Sequence, residues 1–351
     1  MTATPYLAVD ATVLDANIAA MASSAAARGL SLRPHAKTHK CLEIARRQLS
    51  AGAVGLTVAT VGEAEIFAEV CQDIFIAYPL WADDAKGARL RALVDAGVRV
   101  TVGVDSAVGA AQLAVAAGAI DVLVEVDSGH HRSGCPAADA GAVAAAATEA
   151  GLTVRGAFTF PGHGYTPGAA EGVAEQEELA LAVARDRLAA RGLSFAVLSG
   201  GSTPTAPVAH GGVLSELRPG VYVFNDAQQL HLGTCSATDL ALWAVGTVVS
   251  APTGGRIVLD TGSKVLGADR PSWLETFGFL PDYPGAVVVQ LSEHHAVVEL
   301  PPTVAAPAHG DRVRVVPNHV CNTVNLADEF VIEAAGRPTG RWLIAARGAN
   351  R

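Results

Sequence analysis

Along the first two thirds of the chain, short apolar runs alternate with longer alanine-rich stretches whose apolar residues recur every three to four positions. Residues 32–35, 55–59, 74–77, 99–104, 121–126, 153–158, 195–198 and 221–224 read as strands. Between them, residues 13–27, 63–70, 84–96 and 175–190 carry helical patterns. Asp10 or Asp15 supplies a start signal for the first helix and Gly29 a stop. Eight strand–helix alternations within about 220 residues fit a closed parallel barrel better than an open doubly wound sheet. After Gly233 the rhythm changes. The runs 240–249, 256–259, 286–291, 296–300, 312–316 and 330–333 are β-branched and separated by Pro, Gly and Asp turns, which predicts a second, mostly β domain. The expected fold is therefore α/β: a (β/α)8 TIM-type barrel over 10–233, followed by a mostly β domain over 234–351.

Composition narrows the function classes. Half of the 351 residues are hydrophobic and 17% are charged, enough for a large core and too apolar for disorder. A net charge of −9 with no compensating basic run argues against nucleic acid or an anionic membrane as partner and favours a small-molecule substrate. The five cysteines are scattered without a CxxC pair, as suits a reducing compartment. The first ten residues have no basic start followed by an apolar run, and no stretch reaches the roughly 20 apolar residues of a membrane span. A cytoplasmic protein is expected.

In a parallel barrel, chemistry collects on the loops that follow the strands. The first strand runs into Arg33-Pro34-His35-Ala36-Lys37-Thr38-His39-Lys40. A lysine at that rim can form a Schiff base as its neutral amine, a form favoured by positive charge from His35, His39 and Lys40. By itself the run reads equally well as a basic rim loop. The fifth strand leads to Asp127, His130, His131 and Arg132, where Arg132 can neutralise a carboxylate or phenolate, or pair with Asp127. The sixth leads to Pro161-Gly162-His163-Gly164-Tyr165, whose rings can stack on a planar ligand or serve structure alone. The seventh leads to Ser199-Gly200-Gly201-Ser202-Thr203-Pro204. Its glycines allow close backbone approach, and exposed N–H groups with the Ser202 and Thr203 hydroxyls would make an anion cradle. An ordinary turn is the alternative, and position after strand seven favours the phosphate site.

The second domain contributes Pro317-Asn318-His319-Val320-Cys321. In an extended segment, residues two apart share a face, so His319 and Cys321 can grip one ion. Imidazole with thiolate favours zinc, and two protein ligands leave positions for water or substrate. So short a motif is more often a buried cysteine beside a surface histidine.

Taken together, the Lys37 run, Thr4-Pro5, Val124-Glu125-Val126-Asp127, Gly200–Pro204, Pro219-Gly220-Val221-Tyr222, Val258-Leu259-Asp260 and Pro317–Cys321 resemble the D-threonine aldolase and D-serine dehydratase family. That family has the alanine-racemase-like fold type of pyridoxal phosphate enzymes. The resemblance implies that the N-terminal strand within residues 1–9 joins the β domain, and that the protein is a homodimer. It also implies a pyridoxal 5'-phosphate cofactor on Lys37, with the Ser202 and Thr203 loop and Tyr222 at its phosphate and Tyr165 in contact with it; His35, Arg132, His163 and Gly201 are further candidate contacts from their own chemistry and position. His319 and Cys321 match a metal pair, for Zn2+ or another divalent ion such as Mn2+. Cysteine at 321, where aldolase members tend to carry aspartate, favours dehydration. The implied reaction is loss of water from a D-3-hydroxy amino acid to a 2-keto acid and ammonia. Lys37 would take the α-proton, and the metal would make the β-hydroxyl a better leaving group. Retro-aldol cleavage to glycine and an aldehyde is the second reading. A racemase or a non-catalytic cofactor carrier leaves His319 and Cys321 without a role. The Glu293-His294-His295 cluster reads as a solvated turn.

Overall fold

The computed structural model describes residues 2–251 and 255–351. By internal contacts the chain divides into two compact units, one made of Ala20–Lys37, Ile44–Gly220 and Ala349–Arg351. The other takes the chain up to Ala19, Thr38–Glu43 and Val221–Gly348.

The first unit holds eight parallel strands in the order Ser31–Leu32, Glu216–Leu217, Val197–Gly200, Thr153–Phe158, Asp121–Asp127, Arg99–Val104, Asp73–Pro79 and Leu56–Val58. The ends meet. His35 bridges Thr57 in parallel, and the Val54 and Thr57 N–H groups donate to the Leu32 and Pro34 carbonyls. The sheet is therefore a barrel, as the alternating pattern predicts. Helices form where start signals precede periodic apolar residues. Thr60 caps Val61–Phe67 through the Glu63 N–H, Asp83 caps Asp84–Asp95, and Ser106 caps Ala107–Ala117. Inside the barrel, Phe75, Leu123 and Phe158 form a buried cluster, with the two phenylalanine rings edge-to-face at 4.9 Å.

One strand differs from expectation. Residues 221–224 are not the eighth strand: Val221–Val223 is a 3-10 turn, and Glu216–Leu217 closes the barrel instead. Pro219-Gly220 interrupts the extended path, and Asn225 takes a left-handed φ of 49°. Glu216 can occupy a buried strand position because Arg33 Nε and Ser199 Oγ donate to its carboxylate at 2.8 and 2.6 Å.

The second unit is mostly β. Its sheet runs Val287–Leu291, Ala296–Glu299, Arg256–Leu259, Leu242–Ser250, Tyr6–Asp10, Glu329–Ala334, Arg337–Leu343, and Arg312–Pro317 pairs with Leu242–Ser250 and Gly278–Phe279. The N-terminal strand is central, antiparallel to Leu242–Ser250 and parallel to Glu329–Ala334, so the first residues of the chain belong to this sheet. Asp10 ends that strand and opens the first helix, accepting the N–H groups of Thr12 and Val13. Among the described residues no helix is long and apolar enough to cross a membrane.

Candidate active site

Within the barrel unit, several of the singled-out residues converge on Phe160, just beyond strand Thr153–Phe158. Lys37 Nζ lies 5.5 Å from the Phe160 ring centre and the Arg132 guanidinium carbon 4.8 Å from it. The His130 ring meets Phe160 edge-on at 5.6 Å and lies parallel to His163 at 6.3 Å. Burial, reinforced by Arg132 and His163, holds the His130 imidazole below its usual range, which favours the neutral ring. Sequence reasoning missed Phe160. Its only signal is an aromatic placed immediately before Pro161-Gly162, in the loop that follows strand Thr153–Phe158.

Lys37 sits in the 3-10 turn Ala36–Thr38, half-buried, and its backbone N–H faces His35 Nδ1 at 3.5 Å. His39 and Lys40, expected to add charge beside it, belong to the other unit and serve the backbone there. His39 Nδ1 accepts the Cys41 N–H at 3.1 Å and Lys40 Nζ donates to the Ala346 carbonyl at 3.4 Å. Asp127 accepts from the His131 ring at 2.6 Å, so His131, not Arg132, is its partner.

The glycine-rich loop is buried, with Ser202 and Thr203 almost wholly enclosed. Gly201 takes φ +82°, where a side chain would be strained. The expectation of exposed amide donors is corrected at two positions. The Gly201 N–H donates to Glu177 Oε1 at 2.6 Å and the Ser202 N–H to Thr205 Oγ1 at 2.9 Å. Gly164, beside Tyr165, lies against this loop, since a Cβ there would stand 2.8 Å from the Thr205 methyl. Tyr222 is buried in the other unit.

The residues here fit pyridoxal 5'-phosphate: an amine, a guanidinium and three aromatic rings lie beside polar atoms in need of partners. His163 Nδ1 and Glu125 Oε2 are buried with no hydrogen-bond partner among the described residues. Burial raises the Glu125 carboxyl, against Ser133, Arg132 and Arg218, which oppose the shift.

In the β unit, His319 ends an extended stretch and Cys321 lies in the first turn of the short helix Val320–Val324. The i, i+2 strand geometry expected for the pair is thus replaced by a strand-to-helix corner. The corner still brings the two side chains into contact. Burial alone would lower the His319 imidazole, but Cys321, Asp269 and Asp226 outweigh it and push it up to about 11. Asp269 Oδ2 lies 2.7 Å from His319 Nδ1, and the Asn322 amide donates to the other Asp269 oxygen at 2.9 Å. With Nδ1–H directed to a carboxylate, Nε2 is the nitrogen that would bind a metal on giving up its own proton, as in carboxylate–histidine–metal arrangements. The Thr38 hydroxyl lies 3.2 Å from Cys321 Sγ. Asp226 braces the corner from behind, accepting the Val320 N–H at 3.2 Å and the Gln229 N–H at 2.9 Å. Burial pushes the Asp226 carboxyl up to about 6.

Among the described residues no group of three or more His, Cys, Asp or Glu side chains is placed to hold a metal ion. The donor chemistry of His319 and Cys321 nonetheless suits a soft or borderline divalent ion, completed by water or substrate. Glu293 pairs with Lys264 at 2.7 Å on the surface, consistent with a solvated turn.

Comparison with known proteins decides the family. A family model described as the alanine racemase N-terminal domain matches residues 9–228, more than half of the chain. The chain belongs to the alanine-racemase-like family. A second model, described as a putative serine dehydratase domain, matches residues 241–332. D-threonine aldolase of Arthrobacter sp is 36% identical over 99% of this chain and 93% of its own. D-threo-3-hydroxyaspartate dehydratase of Delftia sp. (strain HT23) is 35% identical over 91% of each. The solved structure of that dehydratase has a TM-score of 0.90, with 31% identity over 98% of this chain and 97% of that one. A mutant of D-threo-3-hydroxyaspartate dehydratase, described as the metal-free form, also reaches a TM-score of 0.90, with 30% identity over 98% and 97% of the two chains. The barrel and β-domain expectation and the family resemblance both stand.

Proposed function

We propose that the protein is a pyridoxal phosphate- and divalent-metal-dependent lyase that dehydrates D-3-hydroxy amino acids to 2-keto acids and ammonia. The observation that carries this reading is the corner at His319 and Cys321. It joins an imidazole oriented by Asp269 to a thiol with a hydroxyl neighbour, in a family whose relatives act on D-threonine and D-threo-3-hydroxyaspartate.

Pyridoxal 5'-phosphate would be held through Lys37 and would supply an electron-withdrawing ring able to stabilise negative charge at the substrate Cα. Zinc or a similar ion on His319 and Cys321 would supply Lewis acidity towards the β-hydroxyl. The chain's own residues do the rest. Lys37 Nζ, as a neutral amine, would take the α-proton as general base. Arg132, on the same Phe160 ring, offers a fixed positive charge to an anionic oxygen. His130 and His163 wall the site with parallel rings, and His163 Nδ1 offers a buried hydrogen-bonding atom. The Cα–H and Cβ–O bonds break, the hydroxide leaves as water with a proton, and the enamine hydrolyses in solution to keto acid and ammonia. A homodimer in the cytoplasm is part of the same reading, and sedimentation of the purified protein tests its oligomeric state.

The aldolase relative, matched along nearly the whole chain, supports a second reading: Cα–Cβ cleavage to glycine and an aldehyde. Incubation with D-serine, D-threonine and D-threo-3-hydroxyaspartate, with and without zinc, separates the two by product mass. Keto acid with ammonia supports dehydration; glycine with an aldehyde overturns it in favour of cleavage.

A further inference from the structure

The helix Ala170–Ala189 buries Val173, Ala174, Glu177, Leu181, Ala184 and Leu188 along one face. That stripe calls for apolar residues at every position, yet a glutamate occupies one of them and is almost fully enclosed. A carboxylate is costly to bury without partners, so its contacts indicate its task. Glu177 Oε1 accepts the Gly201 N–H at 2.6 Å. Gly200 leaves room for it, because a Cβ there would stand 2.1 Å from that oxygen. The next residue, Glu178, accepts the Gly212 and Val213 N–H groups at 3.1 and 2.8 Å. Two consecutive glutamates thus clamp the connection between strands Val197–Gly200 and Glu216–Leu217 at both its ends.

The other side of this loop is braced by Arg218. It is buried against the Phe75 and Phe158 rings, donates to Ser199 Oγ at 3.0 Å and to the Thr159 carbonyl, and its positive charge acts on Glu177. Neither glutamate touches the Phe160 cluster in any contact described above.

We propose that Glu177 is a positioning residue for the cofactor's phosphate: by holding the Gly201 N–H, it fixes the 199–203 loop in the shape that receives a phosphate ester. The inference rests on the reading of the site as a pyridoxal phosphate site and adds a residue that does not itself touch the cofactor.

The test compares two probes on apoprotein of the full chain, pyridoxal 5'-phosphate and pyridoxal, by absorbance titration. Pyridoxal offers Lys37 the same aldehyde without the phosphate. E177A and G200A break the same contact from opposite sides, whereas E177Q keeps an acceptor oxygen and the shape. E177A and G200A are expected to weaken pyridoxal 5'-phosphate binding by about tenfold or more, the scale of losing a hydrogen bond to a charged group. They should leave pyridoxal binding within about twofold, and E177Q should recover most of the phosphate-dependent affinity. Equal losses for both probes, or no loss for either variant, would overturn the proposal. If E177A does not fold, G200A and E177Q still decide it. Wild-type protein that binds neither probe would instead refute the cofactor reading itself.

Discussion

Removing the Asp269 carboxylate tests the proposed metal site at the His319–Cys321 corner. Asp269 Oδ2 and His319 Nδ1 are 2.7 Å apart, and the two side chains are 45% and 38% exposed. A hydrogen bond to a charged group contributes about 1.5–3 kcal/mol, and this much solvent access places the pair at the lower end. At about 1.4 kcal/mol per factor of ten, D269A should weaken metal binding about tenfold, the lower bound for residues that orient a metal ligand. Asn322 loses its acceptor in the same variant, which loosens the corner further. The assay is competition with a chromophoric chelator at fixed pH, with cofactor content followed by absorbance in the same samples. Unchanged metal affinity would refute the assignment of Nε2 as the metal-facing nitrogen. Loss of cofactor in parallel with metal would point instead to general unfolding.

Other outcomes follow from the barrel. F158A removes a fully buried ring from the cluster with Phe75 and Leu123, and should cost about 3–5 kcal/mol in chemical denaturation; a loss below about 1 kcal/mol would mean that the cluster does not pack as described. Burial pushes the Glu177 carboxyl up to about 7 from an ordinary 4.5. A folded value above the unfolded one means that the native state binds the extra proton, so this group's contribution is fully present below about pH 4.5 and is lost as pH rises towards 7. At about 1.4 kcal/mol per unit, E177Q should gain on the wild type by up to about 3 kcal/mol between pH 5 and pH 8. A stability difference that stays flat over that range would contradict a raised carboxyl.

Much of this was legible in the sequence, and the exceptions share a cause. Short apolar runs placed most barrel strands, but Glu216–Leu217 is two residues long with a glutamate inside it. Its burial depends on Arg33 and Ser199, distant in sequence, and no local pattern carries that information. The apolar run 221–224 looked like a strand because buried 3-10 turns share its composition. Strand Arg337–Leu343, largely exposed and rich in polar residues, gave no alternation to find. Residue chemistry singled out the candidates Lys37, Arg132 and His163 in the barrel unit and His319 and Cys321 in the β unit. The partners Phe160 and Asp269 were not visible, since each meets its neighbour only in the folded chain.

In the proposed function one amine, Lys37, holds the cofactor. Borohydride reduction fixes the cofactor to whichever amine carries it, and peptide mapping by mass then identifies the residue. The pyridoxyl phosphate mass is expected on the peptide containing Lys37, and is absent in K37A together with keto acid release. The same mass on another lysine, or an active K37A, would contradict it.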